Sequence, residues 1–161
     1  MNINNEKSLP EGSFGYAGEA DFDSVTALWQ QAFGDDREYI ASYLARYFTE
    51  ERIPVFRVDG ELAAMASVFR VRCGSSPALY IFALATDEKY RGRGIASALL
   101  DRIQQQSGLP LVLQPEPNGV EAFYLREGFS PLSAEDLFLA CSGSGITEHT
   151  LGFAPGFSRG L

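Results

Sequence analysis

The sequence predicts a mixed α/β domain, and three observations carry that expectation. Hydrophobic periodicity is helical toward the N-terminus, turns extended near Ile53 and then alternates between the two. Two near-continuous apolar runs, ALYIFALAT from Ala78 and LPLVLQPEP from Leu109, read as buried strands on either side of a helical stretch. Asp59-Gly60 stands between two β-rich runs, a strong hairpin signal.

A polar leader, residues 1–18, comes first. In DFDSVTALWQQAFG, Val25, Leu28, Trp29, Ala32 and Phe33 fall at helical spacing, with Asp21 or Asp23 placed to cap the start and Gly34 to stop it. DDREYIASYLARYF gives a second helix with a wide stripe of Tyr39, Ile40, Tyr43, Leu44, Tyr47 and Phe48. IPVFRVDGELAAMASVFRVRCG is the hairpin, and Ala78 to Thr86 belongs in the middle of the sheet. The next helix puts Ile95, Ala98, Leu99 and Ile103 on one face, and Gly108 and Pro110 end it. Leu109 to Pro117 is a strand broken by prolines at its end. VEAFYLREG is a short helix with Arg126 in its last turn and Gly128 where a left-handed cap is wanted. Phe129 opens a final extended region through DLFLA, Asp136 to Ala140. From about residue 141 to 161 the tail is rich in Gly and Ser, with room for at most one weak strand.

At 161 residues the chain is read as one domain. It is 45% hydrophobic and 21% charged, enough apolar side chain for a core and too little charge bias for disorder. A formal net charge of −8 argues against a nucleic-acid binder, because phosphate backbones are held by clustered Lys and Arg. Negative charge also steers cationic small molecules, although solubility alone accounts for it. No apolar run approaches the ~20 residues of a membrane helix, and the N-terminus lacks the basic start and apolar centre of a signal peptide, which points to the cytoplasm. Cys73, Cys141 and the single His149 show no metal-like spacing, so neither a disulfide nor a metal site is expected.

The stretch YRGRGIASALL, Tyr90 to Leu100, puts two glycines and two arginines ahead of an apolar helix. Backbone N–H groups at a helix start lack partners and bind anions, and Gly92 and Gly94 let the chain approach a ligand closely. Arg91 and Arg93 add charge and forked donors suited to a pyrophosphate. The bland alternative is a tight turn with solvated basic residues. A Walker loop is excluded, because no Gly-Lys-Ser/Thr follows. A dinucleotide fingerprint fits poorly: DEKYR separates strand from glycines, and only 45 residues follow Glu116, too few for a second half.

ALATDEKYRGRGIASALL resembles the acyl-CoA-binding motif of the GNAT superfamily of N-acetyltransferases, Arg/Gln-x-x-Gly-x-Gly/Ala, here Arg91 to Ala96. AFYLREGF, Ala122 to Phe129, is similar to the second family mark, a short helix with a tyrosine ending in Gly-Phe. The resemblance runs from about the first helix to about Ala140. It implies a GNAT-type α/β (α+β) fold: a mixed, mostly antiparallel twisted sheet flanked by helices, with a splayed central strand pair. It implies acetyl-CoA as cosubstrate and no metal. Free backbone groups of Leu84, Ala85 and Thr86 would pair with the pantetheine arm. Amides from Gly92 through Gly94, Ile95 and Ala96 would hold the pyrophosphate, with Arg91 and Arg93 flanking it or one of them facing solvent or the 3′-phosphate. Where many members carry an asparagine and an alanine before the tyrosine, this chain has Pro117 and Val120, and Asn118 stands one position late.

Tyr124 matches the family tyrosine near the thioester sulfur, proposed as general acid for the departing thiolate. With ordinary values of ~8.5 for a thiol and ~10 for a tyrosine, complete transfer is uphill by roughly 2 kcal/mol, so a strong hydrogen bond to developing charge serves as well as donation. Its plain alternative is packing beside Phe123 and Val120. Deprotonating an amine of pKa ~10.4 at neutral pH costs about 4.6 kcal/mol, which calls for a base, a water relay or desolvation. Glu116, at a strand end, is the candidate base, or an exposed loop carboxylate. Tyr80, Trp29, Phe33 and Tyr39 line an acceptor pocket or pack in the core. The leading expectation is an N-acetyltransferase acting by direct attack on an amine-bearing small molecule or peptide, with homodimers common in the superfamily. The other readings are a non-catalytic acyl-CoA-binding module and a nucleotide-binding module.

Overall fold

Residues 11–48, 52–73, 76–115, 120–133, 135–136 and 156–161 are described by the computed structural model. They build a seven-stranded sheet from β1 (Ser13–Tyr16), β2 (Pro54–Val58), β3 (Glu61–Cys73), β4 (Ser76–Thr86), β5 (Leu111–Leu113), β6 (Ser130–Leu132) and β7 (Gly156–Arg159). The order is β1-β2-β3-β4-β5-β7-β6, with β4 and β5 the parallel pair and every other neighbouring pair antiparallel. The helices are α1 (Phe22–Phe33), α2 (Arg37–Tyr47), α3 (Ile95–Ser107) and α4 (Glu121–Arg126). Short 3-10 turns lie at Glu19–Asp21 and Glu88–Tyr90. None of the described helices is long and apolar enough to cross a membrane.

The Asp59-Gly60 turn joins β2 to β3 with φ of 51° and 79°, both left-handed as a two-residue hairpin of this hand requires. One face of the sheet carries α3 and α4: Ile95, Ala98, Leu99, Leu100, Ile103 and Tyr124 are buried against Ala64, Ala66, Leu79 and Ile81. At roughly 1.5–3 kcal/mol for a buried Leu or Ile, this apolar stripe holds α3 in place without help from a side-chain cap. The other face carries α1 and α2, whose Val25, Leu28, Trp29, Ile40 and Leu44 meet Val55, Met65, Ala83 and Ala85.

Several expectations change. The polar leader contains β1, a four-residue edge strand paired with β2 from Ser13↔Arg57 to Tyr16↔Pro54. Neither expected aspartate caps α1 with its side chain: the Asp21 carboxylate accepts from Gly18 N–H and Arg57, and Asp23 pairs with Arg37. The strand expected from Leu109 to Pro117 holds its ladder only over Leu111–Leu113, since Pro110 and Pro115 bring no N–H to it. The extended region after Phe129 ends at Leu132; Glu135 and Asp136 are helical, and 137–140 lie outside the described residues. The tail, where at most one weak strand is expected, supplies β7 among its described residues, a strand between β5 and β6 that is buried over 156–158.

Candidate active site

The site is built where β4 leaves its parallel neighbour. The β4–β5 ladder covers Leu79↔Leu111, Tyr80↔Val112 and Ile81↔Leu113, and β4 then runs on to Thr86 with no β5 register. Against β3 the register steps from Val68↔Ile81 to Ser67↔Ala83, leaving Phe82 as an extra residue. Such a bulge bends the strand and raises its twist, which carries β4 away from β5. Phe82 and Ala83 consequently both pack toward α1 and α2. The Phe82 ring stacks on Tyr43 at 5.2 Å, and the Tyr43 hydroxyl lies 2.6 Å from the Ser67 hydroxyl, a buried pair. Leu84, Ala85 and Thr86 are the last residues of this splayed segment.

Beyond Thr86 the chain makes a 3-10 turn and enters the glycine loop. Gly92 and Gly94 have φ of 77° and 75°, the left-handed region, and a Cβ added at either meets no atom within 4 Å. The space before the loop is therefore open to a ligand. Gly94 is the N-cap of α3; no side chain caps this end, and no acidic residue lies in the first turn. The amides of the loop and of Ile95 and Ala96 thus present a positive helix end to that space.

Of the two arginines, Arg91 lies back on the strand, its Nε donating to the Thr86 carbonyl oxygen at 3.2 Å. The Arg93 guanidinium sits 5.5 Å from the Tyr90 ring centre. Tyr90 donates its hydroxyl proton to Glu61 at 2.7 Å, and Lys89 pairs with the same carboxylate at 3.2 Å, so the loop is latched to the β2–β3 hairpin. The Tyr90 hydroxyl and then Lys89 hold the Glu61 carboxyl below the usual carboxylate range. The bond to Glu61 in turn pushes the Tyr90 phenol and the Lys89 ammonium up.

Tyr124 is the buried residue of α4 and packs edge-on against Phe123 at 5.1 Å and Phe129 at 5.5 Å, in the same core as Ile95. Its carbonyl accepts from the N–H groups of Glu127 and Phe129, which closes the helix. Glu116 lies outside the described residues. Trp29 and Tyr80 are buried, Trp29 Nε1 donating to Asp35 at 2.8 Å and the Tyr80 hydroxyl to Gln114 at 3.2 Å. Phe33 is half-buried beside Trp29, and Tyr39 is 48% exposed. Among the described residues no group of three or more His, Cys, Asp or Glu is arranged to hold a metal ion.

Three side chains not singled out by sequence also frame the site. Ser97, in the first turn of α3, donates to the Glu127 carboxylate at 2.5 Å. Arg159 on β7 donates to the Glu127 carbonyl at 2.9 Å. No local pattern marks them, because each acts on a distant segment.

A family model described as acetyltransferase (GNAT) family matches residues 22–129. No curated protein matches significantly. Among solved structures, a Corynebacterium glutamicum protein described as histone acetyltransferase HPA2 and related acetyltransferase is similar at TM-score 0.68 and 19% identity, over 94% of this chain and 96% of that one. N-acetylglutamate synthase from Neisseria gonorrhoeae, complexed with coenzyme A and N-acetyl-glutamate, is similar at TM-score 0.64 and 16% identity, over 92% of this chain but 34% of that one. Arabidopsis thaliana Naa50, in complex with a CoA-peptide bisubstrate analogue, is similar at TM-score 0.62 and 17% identity, over 93% and 99%. At these identities the likeness is one of fold.

Proposed function

Because this chain belongs to the acetyltransferase (GNAT) family, we propose that it moves an acetyl group from acetyl-CoA to the nitrogen of an amine-bearing small molecule or peptide. The observation that carries the reading is one juxtaposition. A strand end with no β5 partner runs into two positive-φ glycines at an uncapped helix start, beside open space. Solved structures of similar fold contain coenzyme A or a CoA-peptide conjugate, which supports the same donor here.

In this reading, backbone groups of Leu84, Ala85 and Thr86 pair with the pantetheine arm as an added strand would. The amides of Gly92, Gly94, Ile95 and Ala96 hold the pyrophosphate, and Arg91 and Arg93 add charge-assisted donors. The amine nitrogen attacks the thioester carbonyl, the C–S bond breaks, and the Tyr124 hydroxyl donates a hydrogen bond or its proton to the departing sulfur. Glu116 takes the proton that the amine must lose. Acetyl-CoA supplies the activated acyl group; the chain supplies alignment and the two proton-handling groups.

The direct test is release of free CoA from acetyl-CoA across a panel of small primary amines and peptides with free N-termini. Release with one class of acceptor supports transfer and names that class. Tight CoA binding with no release on any amine supports a non-catalytic acyl-CoA-binding module instead.

A further inference from the structure

Helix α4 is short and enters the core through Tyr124, with Phe123 packed beside it. It spans six residues and buries only Tyr124, while Val120 and Leu125 are exposed at 38% and 52%. Helix α3 buries five side chains over thirteen residues and is fixed by its own apolar face. A tyrosine that must sit within hydrogen-bond reach of a reacting sulfur needs its short helix tied to something rigid. Arg159 makes that tie.

The Arg159 side chain, 15% exposed, reaches two helices from β7. Its Nη1 donates to the Glu127 carbonyl at the end of α4 at 2.9 Å and lies 3.2 Å from the Asp101 carboxylate of α3. Its Nε donates to the Gln104 side-chain oxygen at 2.7 Å, and Gln104 donates back to the Arg159 carbonyl at 3.3 Å. The guanidinium carbon also stands 5.1 Å from the Phe129 ring centre, and that ring packs edge-on against Tyr124. Arg159 therefore meets Tyr124 by two routes, one through backbone and one through Phe129. The Ser97–Glu127 bond closes the tie at the other end, on the first turn of α3.

We propose that Arg159 is a positioning residue for acetyl transfer, setting Tyr124 on α4 against the donor-binding end of α3 without touching either substrate. The inference rests on the reading of Tyr124 as the group beside the departing sulfur. Planar, forked donors suit the task, since one side chain must serve a carbonyl, a carboxylate and an amide in fixed directions.

The test is a double-mutant cycle on the full chain with the amine that gives the fastest CoA release. Arg159→Met keeps an unbranched stem over Phe129 and removes the fork. The expected fall in kcat is roughly tenfold to a hundredfold, the scale on which a misplacement of about 1 Å acts. The Kd for CoA is expected to change by less than about threefold, and adding Arg159→Met to Tyr124→Phe is expected to lower kcat no further. A purely structural role predicts a lower thermal midpoint and a smaller active fraction, with kcat per CoA-binding site unchanged. That result, or an equal fall in both Tyr124 backgrounds, overturns the proposal. If Arg159→Met does not fold, Arg159→Lys, which keeps the charge and loses the fork, is carried through the same cycle. In tyrosine-labelled protein, the Tyr124 ring resonance, assigned by its loss in Tyr124→Phe, should shift on Arg159 substitution, and an unmoved resonance refutes the coupling. Absence of turnover in the unmodified chain on every amine defeats the acetyl-transfer reading alone, and the resonance still decides whether Arg159 governs Tyr124.

Discussion

The side chain of Arg91 bonds to the carbonyl of Thr86, five residues earlier, so the first arginine of the glycine loop rests on the strand end that precedes it. Arg93 instead lies over Tyr90 and points its charge elsewhere. The two arginines should therefore respond differently to changes in the donor. Arg91→Ala is expected to weaken CoA and dephospho-CoA alike by about tenfold, the scale of one charge-assisted hydrogen bond. Arg93→Ala is expected to weaken CoA selectively. Calorimetric titration of both ligands checks this, and equal effects of the two substitutions would refute it.

Gly94 separates conformational strain from obstruction. A Cβ there meets no protein atom within 4 Å, but φ is 75°. The stability cost of Gly94→Ala should be limited to the left-handed penalty, roughly 1–2 kcal/mol. CoA affinity should fall further, by at least about a hundredfold or about 2.7 kcal/mol, because the methyl group enters the space where the proposed pyrophosphate would approach an amide. Urea unfolding and CoA titration on the same preparation test the difference; a binding loss no larger than the stability loss counts against the site.

Tyr124→Phe removes one hydroxyl and keeps the packing against Phe123 and Phe129. The expected outcome is a drop in kcat of about a hundredfold or more, the usual range for a lost acid–base group, with CoA affinity unchanged. Steady-state CoA release and equilibrium binding read the two quantities separately. Full activity in this variant would return Tyr124 to the role of a packing residue.

The Asp21–Arg57 pair, 2.7 Å apart, ties the turn before α1 to β2. The bond from Arg57 holds the Asp21 carboxyl below its ordinary value of 3.8. A carboxyl whose folded value is depressed binds fewer protons folded than unfolded, so its contribution to stability is present above the unfolded value and is lost as pH falls through the folded one. Stability should therefore decline below about pH 4, and Arg57→Met should flatten that part of the decline. Thermal midpoints of both proteins across acid pH measure it; parallel curves would show that other carboxylates dominate.

The segments legible in sequence were those whose signal is local. The run from Ala78 through the Gly92-Gly94 loop into α3 announces itself by a change of period and by glycines at positive φ. Gly34 and Gly108 ended their helices as left-handed caps. The bulge at Phe82 was hidden because a continuous apolar run has no alternation whose phase a bulge can break. β1 and β7 have four residues each, too short for a periodic signal, and β7 owes its burial to β5 and β6 on its two sides. Arg159 was invisible for the same reason, since its Gln104 partner lies 55 residues away.

The order of strands also bears on how the protein comes together. Among the described residues β6 pairs with β7 alone, which follows it in the chain by more than twenty residues and lies between β5 and β6. Among the described strands, β5 has no neighbour on that side until residues 156–159 arrive, and β6 has no partner before them. The part of the sheet from β2 through β5 can close through largely sequential contacts, while β7 pairs with β5 across more than forty intervening residues. Folding is expected to have a late step in which β7 inserts, and catalytic competence to appear in that step and not with the bulk of the helical signal.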